Sequence, residues 1–111
     1  MKVKYIVEKL NLKVLSGAEG LDREIESGYA SDLLSDVMGN ADMGSAWITL
    51  QTHKNIIAIA SLKELACVIL VKGLTAAEDT MAQSNDEDIP ILSTNKETFE
   101  TAGLLYNLLN S

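Results

Sequence analysis

The sequence predicts a single-domain, three-layer α/β fold in which a mainly parallel sheet is flanked by helices. Three short apolar runs rich in β-branched residues, WITL, CVILV and IPILS, are each followed by a segment with helical spacing. Strands that are apolar on both faces are typical of parallel sheets covered by helices. With 111 residues, 47% of them hydrophobic, the chain suffices for one core, so we expect one domain over residues 1–111.

Shorter elements precede the first of these runs. The apolar residues near the N-terminus recur at helical spacing, and glycines mark the following turns. We expect, in order, a helix over residues 3–10, a strand over 13–15, an extended piece over 21–25, a strand ending at 29–30 and a helix over 32–38.

Three longer helices are expected after the apolar runs, over residues 56–65, 76–84 and 96–109. TAAE (Thr75–Glu78) and TNKE (Thr94–Glu97) match the capping box, in which a threonine side chain satisfies a backbone N–H of the first turn. The polar run SNDED (Ser84–Asp88) is expected to be a solvated loop. The stripe Phe99, Ala102, Tyr106 and Leu109 is expected to pack on the sheet.

Composition excludes several function classes. The formal charge of −7 argues against nucleic acid or an anionic membrane as partner, since both select basic residues. Cys67 is the only cysteine, which excludes an internal disulfide and a cysteine-based zinc cluster and fits a cytoplasmic setting. The N-terminal segment lacks the apolar run of a signal peptide, and no segment is apolar enough to span a bilayer.

Polar residues follow three successive predicted strands, at the points where strands lead into helices. Because right-handed crossovers bring the carboxyl ends of parallel strands to one edge, we expect these residues to share that edge. Exposed N–H groups and helix N-termini there favour anions. The candidate ligand-binding residues are Ser31, Asp32, Asp36, Thr52, His53, Lys72 and Gly73.

Each candidate also has a structural interpretation. Ser31 or Asp32 fits a helix cap, although Asp36 on the same helix face could meet a cation, a ribose hydroxyl or a partner's arginine. His53, the only histidine, is interpreted first as a surface residue, second as a ligand contact, and third as a general base that needs a nucleophile and an orienting group. Lys72-Gly73 fits an anion site and a turn about equally.

The segments LDREIESGY, SDLLSDVMGNA, AWITLQTHKNIIAIA, CVILVKG and IPILSTNKETFETAGLLY together resemble the DRTGG domain family. That domain is similar to the N-terminal domain of HPr kinase/phosphorylase and accompanies nucleotide-sensing CBS modules in some pyrophosphatases. The resemblance implies a regulatory or accessory α/β domain, commonly at a subunit interface, without catalytic machinery. In the naming motif Asp-Arg is followed by Thr-Gly-Gly, whereas here Asp22-Arg23 is followed by EIES before Gly28.

We therefore expect a non-catalytic module that binds a small anionic, nucleotide-like ligand or a protein partner at the carboxyl edge of its sheet. The alternatives are an oligomerisation module without a small ligand and a small enzyme using His53. A homodimer is expected from the resemblance and from the frequency of symmetric dimers among small domains. No cofactor is expected, because phosphate-loop and dinucleotide-binding motifs are missing, as is the nucleophile-elbow motif. No metal is expected, because the spacing of His53 from Asp32 and Asp36 matches no metal-binding pattern.

Overall fold

The computed structural model describes all 111 residues, and strands alternate with helices as the apolar runs predict. In chain order the elements are α1 (Val3–Lys9), β1 (Lys13–Ser16), a 3₁₀ turn (Ala18–Gly20), β2 (Ser27–Ala30), α2 (Leu34–Asn40), β3 (Ser45–Thr49), α3 (Asn55–Leu62), β4 (Cys67–Leu70), α4 (Glu78–Glu87), β5 (Ile91–Ser93) and α5 (Thr98–Leu109). The predicted α/β fold class is confirmed.

One five-stranded sheet with the order β1-β5-β4-β3-β2 forms the middle layer. The strands β2 to β5 are parallel and lie side by side in chain order, with Tyr29 opposite Trp47 and Trp47 opposite Val68. Only β1 is antiparallel, and it pairs with β5. Because successive right-handed crossovers run in one direction across the sheet, α2, α3 and α4 all lie on the same face.

Each face of the sheet has its own hydrophobic core. On the face covered by α2, α3 and α4, the side chains of Trp47 and Val68 pack against Ile56 and Ile57, all fully buried. On the opposite face α1 and α5 cover the strands, and Ile6 and Leu105 pack against alternate strand residues such as Ile48 and Ile69. β3 and β4 are buried on both sides, which explains their unbroken apolar sequences.

The capping-box prediction is wrong at both helices. The N-caps are Ala77 for α4 and Glu97 for α5, and neither cap residue makes a side-chain hydrogen bond. The Thr94 hydroxyl instead accepts the N–H of Lys96 at 3.3 Å, which closes a turn after β5. At Thr94 the threonine–glutamate spacing therefore marks a turn before the helix, whereas Thr75 lies in the loop before α4.

Two further local predictions also differ from the structure. Residues 21–25 form turns with one isolated bridge, Lys2 to Glu24, and not an extended piece. The SNDED run is the end of α4 and its C-cap, because Ser84 is fully buried and its hydroxyl donates to the Ile89 carbonyl at 2.6 Å. Because its hydroxyl is hydrogen-bonded, Ser84 can be buried in an otherwise polar segment.

The turn between β1 and β2 is tightly packed against the end of α4. A Cβ atom at Gly20 would lie 2.0 Å from the carbonyl oxygen of Asp88, and one at Gly17 would lie 2.3 Å from that of Ile89. Gly17 also has a φ of +71°, which disfavours other residues. These glycines let the N-terminal segment approach the backbone that leads into β5.

Candidate functional site

The sequence-predicted residues lie along the edge of the sheet where the parallel strands end. Ser31 follows β2, Thr52 and His53 follow β3, and Lys72 follows β4. These strands are direct neighbours in parallel register. We call this region, with the loop after β5, the carboxyl edge.

Asp32 joins the ends of two strands at the carboxyl edge. One of its carboxylate oxygens accepts the Thr49 hydroxyl at 2.9 Å and the Leu50 N–H at 2.7 Å, and its carbonyl oxygen accepts the side-chain amide of Gln51 at 2.8 Å. The residue lies before α2, which begins at Leu34, so the predicted helix start at residue 32 is wrong. The carboxylate already has two hydrogen-bond donors within the protein.

Ser31 has contacts on both its backbone and its side chain. Its carbonyl oxygen accepts the indole N–H of Trp47 at 2.8 Å, and its hydroxyl accepts the N–H of Leu33 at 3.2 Å. The buried Trp47 therefore anchors the turn that follows β2, and the serine hydroxyl stabilises that turn locally.

Asp36 lies on α2 and is bonded to a residue of β2. Both carboxylate oxygens lie 3.0 Å from the Tyr29 hydroxyl, and the Asn40 amide donates to one of them at 3.0 Å. The hydroxyls of Ser31 and then Tyr29 hold the pKa of Asp36 below its usual range. Desolvation, and then the hydrogen bond to the Asp36 carboxylate, raises the pKa of the Tyr29 hydroxyl.

The loop after β3 is attached to α4 through the backbone of Thr52. Its carbonyl oxygen accepts the Thr80 hydroxyl at 3.0 Å and the Ala77 N–H at 3.3 Å. His53 is exposed, and its Nδ1 accepts the N–H of Asn55 at 3.2 Å. No carboxylate or hydroxyl is hydrogen-bonded to His53, so the arrangement needed by a general base is not assembled around it.

Lys72 and Gly73 form a turn with φ values of +59° and +70°. Their two N–H groups donate to the carbonyl oxygens of Lys96 and Thr94, both at 2.9 Å. The backbone donors of this turn are thus used within the protein. The exposed ammonium of Lys72 lies 3.7 Å from Glu97 and is the group left to meet a ligand.

Surface grooves lie away from these seven residues. A groove of about 590 Å³ runs between α3 and α4, with mostly polar walls that include Asn55, Gln83 and Glu87. A second groove of about 410 Å³ runs between β2 and α5 and is more apolar. Its lining includes Gly28, Ala30, Ala102, Leu105, Tyr106 and Leu109.

The helix beside the second groove exposes aromatic side chains. Phe99 is 91% and Tyr106 is 68% exposed, whereas Leu105 is buried against the sheet. The expectation that the whole Phe99 stripe packs on the sheet is therefore wrong for its two aromatic members. Ala102 and Leu109 do pack against the core on this face of the sheet. We call the outer side of β2 together with Phe99, Ala102, Tyr106 and Leu109 the β2–α5 face.

The Asp22-Arg23 pair has a structural role near the amino ends of the parallel strands, opposite the carboxyl edge. Asp22 lies 3.0 Å from the Lys4 ammonium and 3.8 Å from that of Lys2, and a hydrogen bond and the charge of Lys4 lower its pKa most. The Arg23 guanidinium donates to the carbonyl oxygens of Asp88 at 2.8 Å and Glu87 at 3.2 Å. Arg23 therefore satisfies carbonyls at the C-terminus of α4, where a cation is also favoured by the helix dipole.

The family model described as the DRTGG domain matches residues 5–108. The chain belongs to the DRTGG domain family.

A solved structure from Clostridium perfringens has a similar fold. It is the CBS and DRTGG domains of the regulatory region of a pyrophosphatase, complexed with its activator diadenosine tetraphosphate. The alignment has 12% sequence identity and a TM-score of 0.67, and it covers 94% of this chain and 45% of that chain. The DRTGG chain thus spans less than half of its structural neighbour. No curated protein matches the chain.

The structure lacks two features that would indicate other kinds of site. No helix has the length and apolar character needed to cross a membrane. No group of three or more histidine, cysteine, aspartate and glutamate side chains is placed to hold a metal ion.

Proposed function

We propose that this DRTGG domain is a non-catalytic regulatory or accessory module that works as a homodimer joined along its β2–α5 face. The observation that carries the proposal is the exposure of Tyr106, which lines an apolar groove, and of Phe99, seven residues earlier on the same helix. Exposed apolar patches of this kind are typical of protein-binding surfaces. Family membership supports the regulatory role, since the similar pyrophosphatase region is itself regulatory.

Charge supports a second copy of the chain as the partner. A protein with a formal charge of −7 repels its own copies unless they meet at a surface with few carboxylates. β2 contains no charged residue, and Glu100 is the only one within α5. Glu26 lies at one end of the groove. The β2–α5 face is therefore nearly neutral in a strongly acidic chain.

Sedimentation velocity and light scattering over the micromolar range test the homodimer. We expect a dimer whose melting temperature rises with protein concentration, because association stabilises the folded state by mass action. Phe99→Glu should weaken the dimer without loss of fold, whereas Leu62→Glu is the matched control, since Leu62 is 70% exposed and lies on α3. A protein that is monomeric at every concentration would contradict the proposal.

A second candidate function is the binding of a small anionic, nucleotide-like ligand at the carboxyl edge. The side chains of His53, Lys72 and Lys96 are exposed there, and the solved pyrophosphatase region was crystallised with diadenosine tetraphosphate. These lysine and histidine side chains are the groups that would meet phosphate, since the N–H groups of Lys72 and Gly73 are already bonded. The remaining candidates of the site, Ser31, Asp32, Asp36 and Thr52, would shape the loops around it.

Thermal unfolding in the presence of ATP, diadenosine tetraphosphate and inorganic phosphate tests this candidate. A ligand at 100 times its dissociation constant stabilises the folded state by ~2.7 kcal/mol. We expect His53→Ala and Lys72→Ala to reduce that gain and Lys63→Ala, beyond the end of α3, to leave it unchanged. An equal gain in all three variants would remove the site. We also propose a cytoplasmic setting, supported by the single, buried Cys67.

A further inference from the structure

The two edge strands of the sheet, β1 and β2, differ in how they are protected against pairing with another strand. β1 has a register irregularity between Val14 and Ser16, begins with Lys13, and is contacted by α4. Bulges, lysines and covering helices are the usual means of blocking an edge. β2 is the other edge strand, and it has no charged residue, no proline and no irregular register with β3. The outer side of β2 is therefore open to strand pairing.

We infer that the second copy pairs with β2 as an antiparallel strand, so that the two five-stranded sheets become one continuous sheet across a two-fold axis. The inference rests on the proposed homodimer and specifies its geometry. An edge strand is complementary to itself in the antiparallel direction, since each N–H of one copy then meets a C=O of the other.

The outward backbone groups of β2 can be assigned from its inward bonds. The N–H of Ser31 donates to the carbonyl oxygen of Ile48 in β3 at 3.2 Å. Because backbone groups alternate in direction along a strand, the N–H and C=O groups of Ala30 and Gly28 point away from β3. Both residues are exposed and small, so their own side chains leave these groups accessible.

The position of α5 fits this arrangement. The helix packs over β2 and β3, so its axis lies about half a strand spacing inward from β2. With ~4.8 Å between neighbouring strands, pairing of the two β2 strands would bring the two α5 axes to about 10 Å from each other. Packed helices lie ~8–10 Å apart. One two-fold axis thus allows the two β2 strands to pair and the two α5 helices to pack at the same time.

Buried area and charge also favour a second copy over another partner. Taking ~200 Å² for an aromatic side chain, the exposed parts of Phe99 (91%) and Tyr106 (68%) amount to roughly 300 Å² per copy. This is over a third of the ~800 Å² that each partner buries in a stable complex. In an antiparallel pairing, the two Glu26 side chains lie at opposite ends of the interface, so they do not face each other.

Hydrogen exchange of single amides, measured by NMR together with sedimentation, tests the inference. In the wild-type dimer we expect the Gly28 and Ala30 amides to exchange at least about tenfold more slowly than in the double variant Phe99→Glu/Tyr106→Glu. The Ser31 amide, which is bonded to β3 in either state, is the internal control. The double variant should raise the dimer dissociation constant at least about a hundredfold, because each copy loses two aromatic contacts.

Ala30→Pro gives an independent check, because proline removes an outward N–H and is tolerated in edge strands. We expect this variant to remain folded and to weaken the dimer at least about tenfold, whereas Leu62→Glu should leave the dimer intact. A dimer in which the Gly28 and Ala30 amides are as fast as in the double variant would overturn strand pairing and leave the homodimer standing. A wild-type monomer would overturn both.

Discussion

Replacing Asp32 by alanine tests whether this carboxylate holds the carboxyl edge together. The substitution removes the acceptor of two hydrogen bonds, from the Thr49 hydroxyl at 2.9 Å and the Leu50 N–H at 2.7 Å. Hydrogen bonds to charged groups contribute ~1.5–3 kcal/mol each, and water can replace part of this at an exposed residue. We therefore expect a loss of about 2 kcal/mol in the free energy of unfolding.

Urea unfolding at neutral pH measures this loss, which should also lower the melting temperature by roughly 8 °C in a domain of this size. Asp32→Asn keeps an oxygen acceptor and should lose less than about 1 kcal/mol. Asp42→Ala is the matched control, since the exposed Asp42 side chain makes no hydrogen bond in the structure. Equal stability of Asp32→Ala and Asp42→Ala would refute the structural role of Asp32.

Three further predictions concern the reactivity of a buried thiol, the dependence of stability on acidic pH, and the substitution of glycines. Burial raises the pKa of Cys67 to about 12, so its thiol should resist alkylation at pH 8 until denaturant unfolds the protein; the reaction rate of a free thiol in native protein would contradict this. The pKa of Asp36 is lowered in the folded state. Its carboxylate therefore stabilises the folded protein above the ordinary carboxyl pKa, and this stabilisation is lost as pH falls through the pKa of the folded state. Tyr29→Phe should therefore make stability between neutral and acidic pH fall less steeply, as urea titrations at several pH values would show, and an unchanged pH dependence would count against the pairing. Gly20→Ala should cost ~1–3 kcal/mol through overpacking, whereas Gly39→Ala, where a Cβ meets nothing within 4 Å, should stabilise α2 by up to ~1 kcal/mol in the same unfolding assay.

The central strands could be predicted from sequence because their physics is local and strong. WITL, CVILV and IPILS correspond to β3, β4 and β5, and continuous apolar runs of this kind have few alternatives to burial in a covered sheet. The antiparallel pairing of β1 with β5 was not predictable, because the KVLS strand carries no signal for its partner or direction. The SNDED run was misassigned because the burial of Ser84 depends on contacts with Ser16 and Ile89, which are distant or beyond the helix.

The candidate residues lie at the edge of the sheet that the sequence predicts, but their hydrogen-bond partners could not be predicted from the sequence. Parallel strands in a βαβ arrangement bring Ser31, Thr52 and Lys72 to one side, and that follows from topology alone. Their hydrogen bonds do not follow from topology, since Asp32 is bonded to Thr49 and Leu50 through a geometry set by strand spacing and twist. Sequence patterns give the edge on which a residue lies, whereas its partners depend on atomic distances.

The order of the strands supports the proposed association over binding of a ligand in a deep crevice. In many open α/β sheets a crevice forms where the strand order reverses, because helices then lie on opposite faces of neighbouring strands. Here β2 to β5 run in order, so α2, α3 and α4 share one face and no reversal occurs among the parallel strands. The loops at the carboxyl edge are hydrogen-bonded to one another. The outward backbone groups of β2 lie at the edge of the sheet, so the proposed second copy would attach there without disturbing either core.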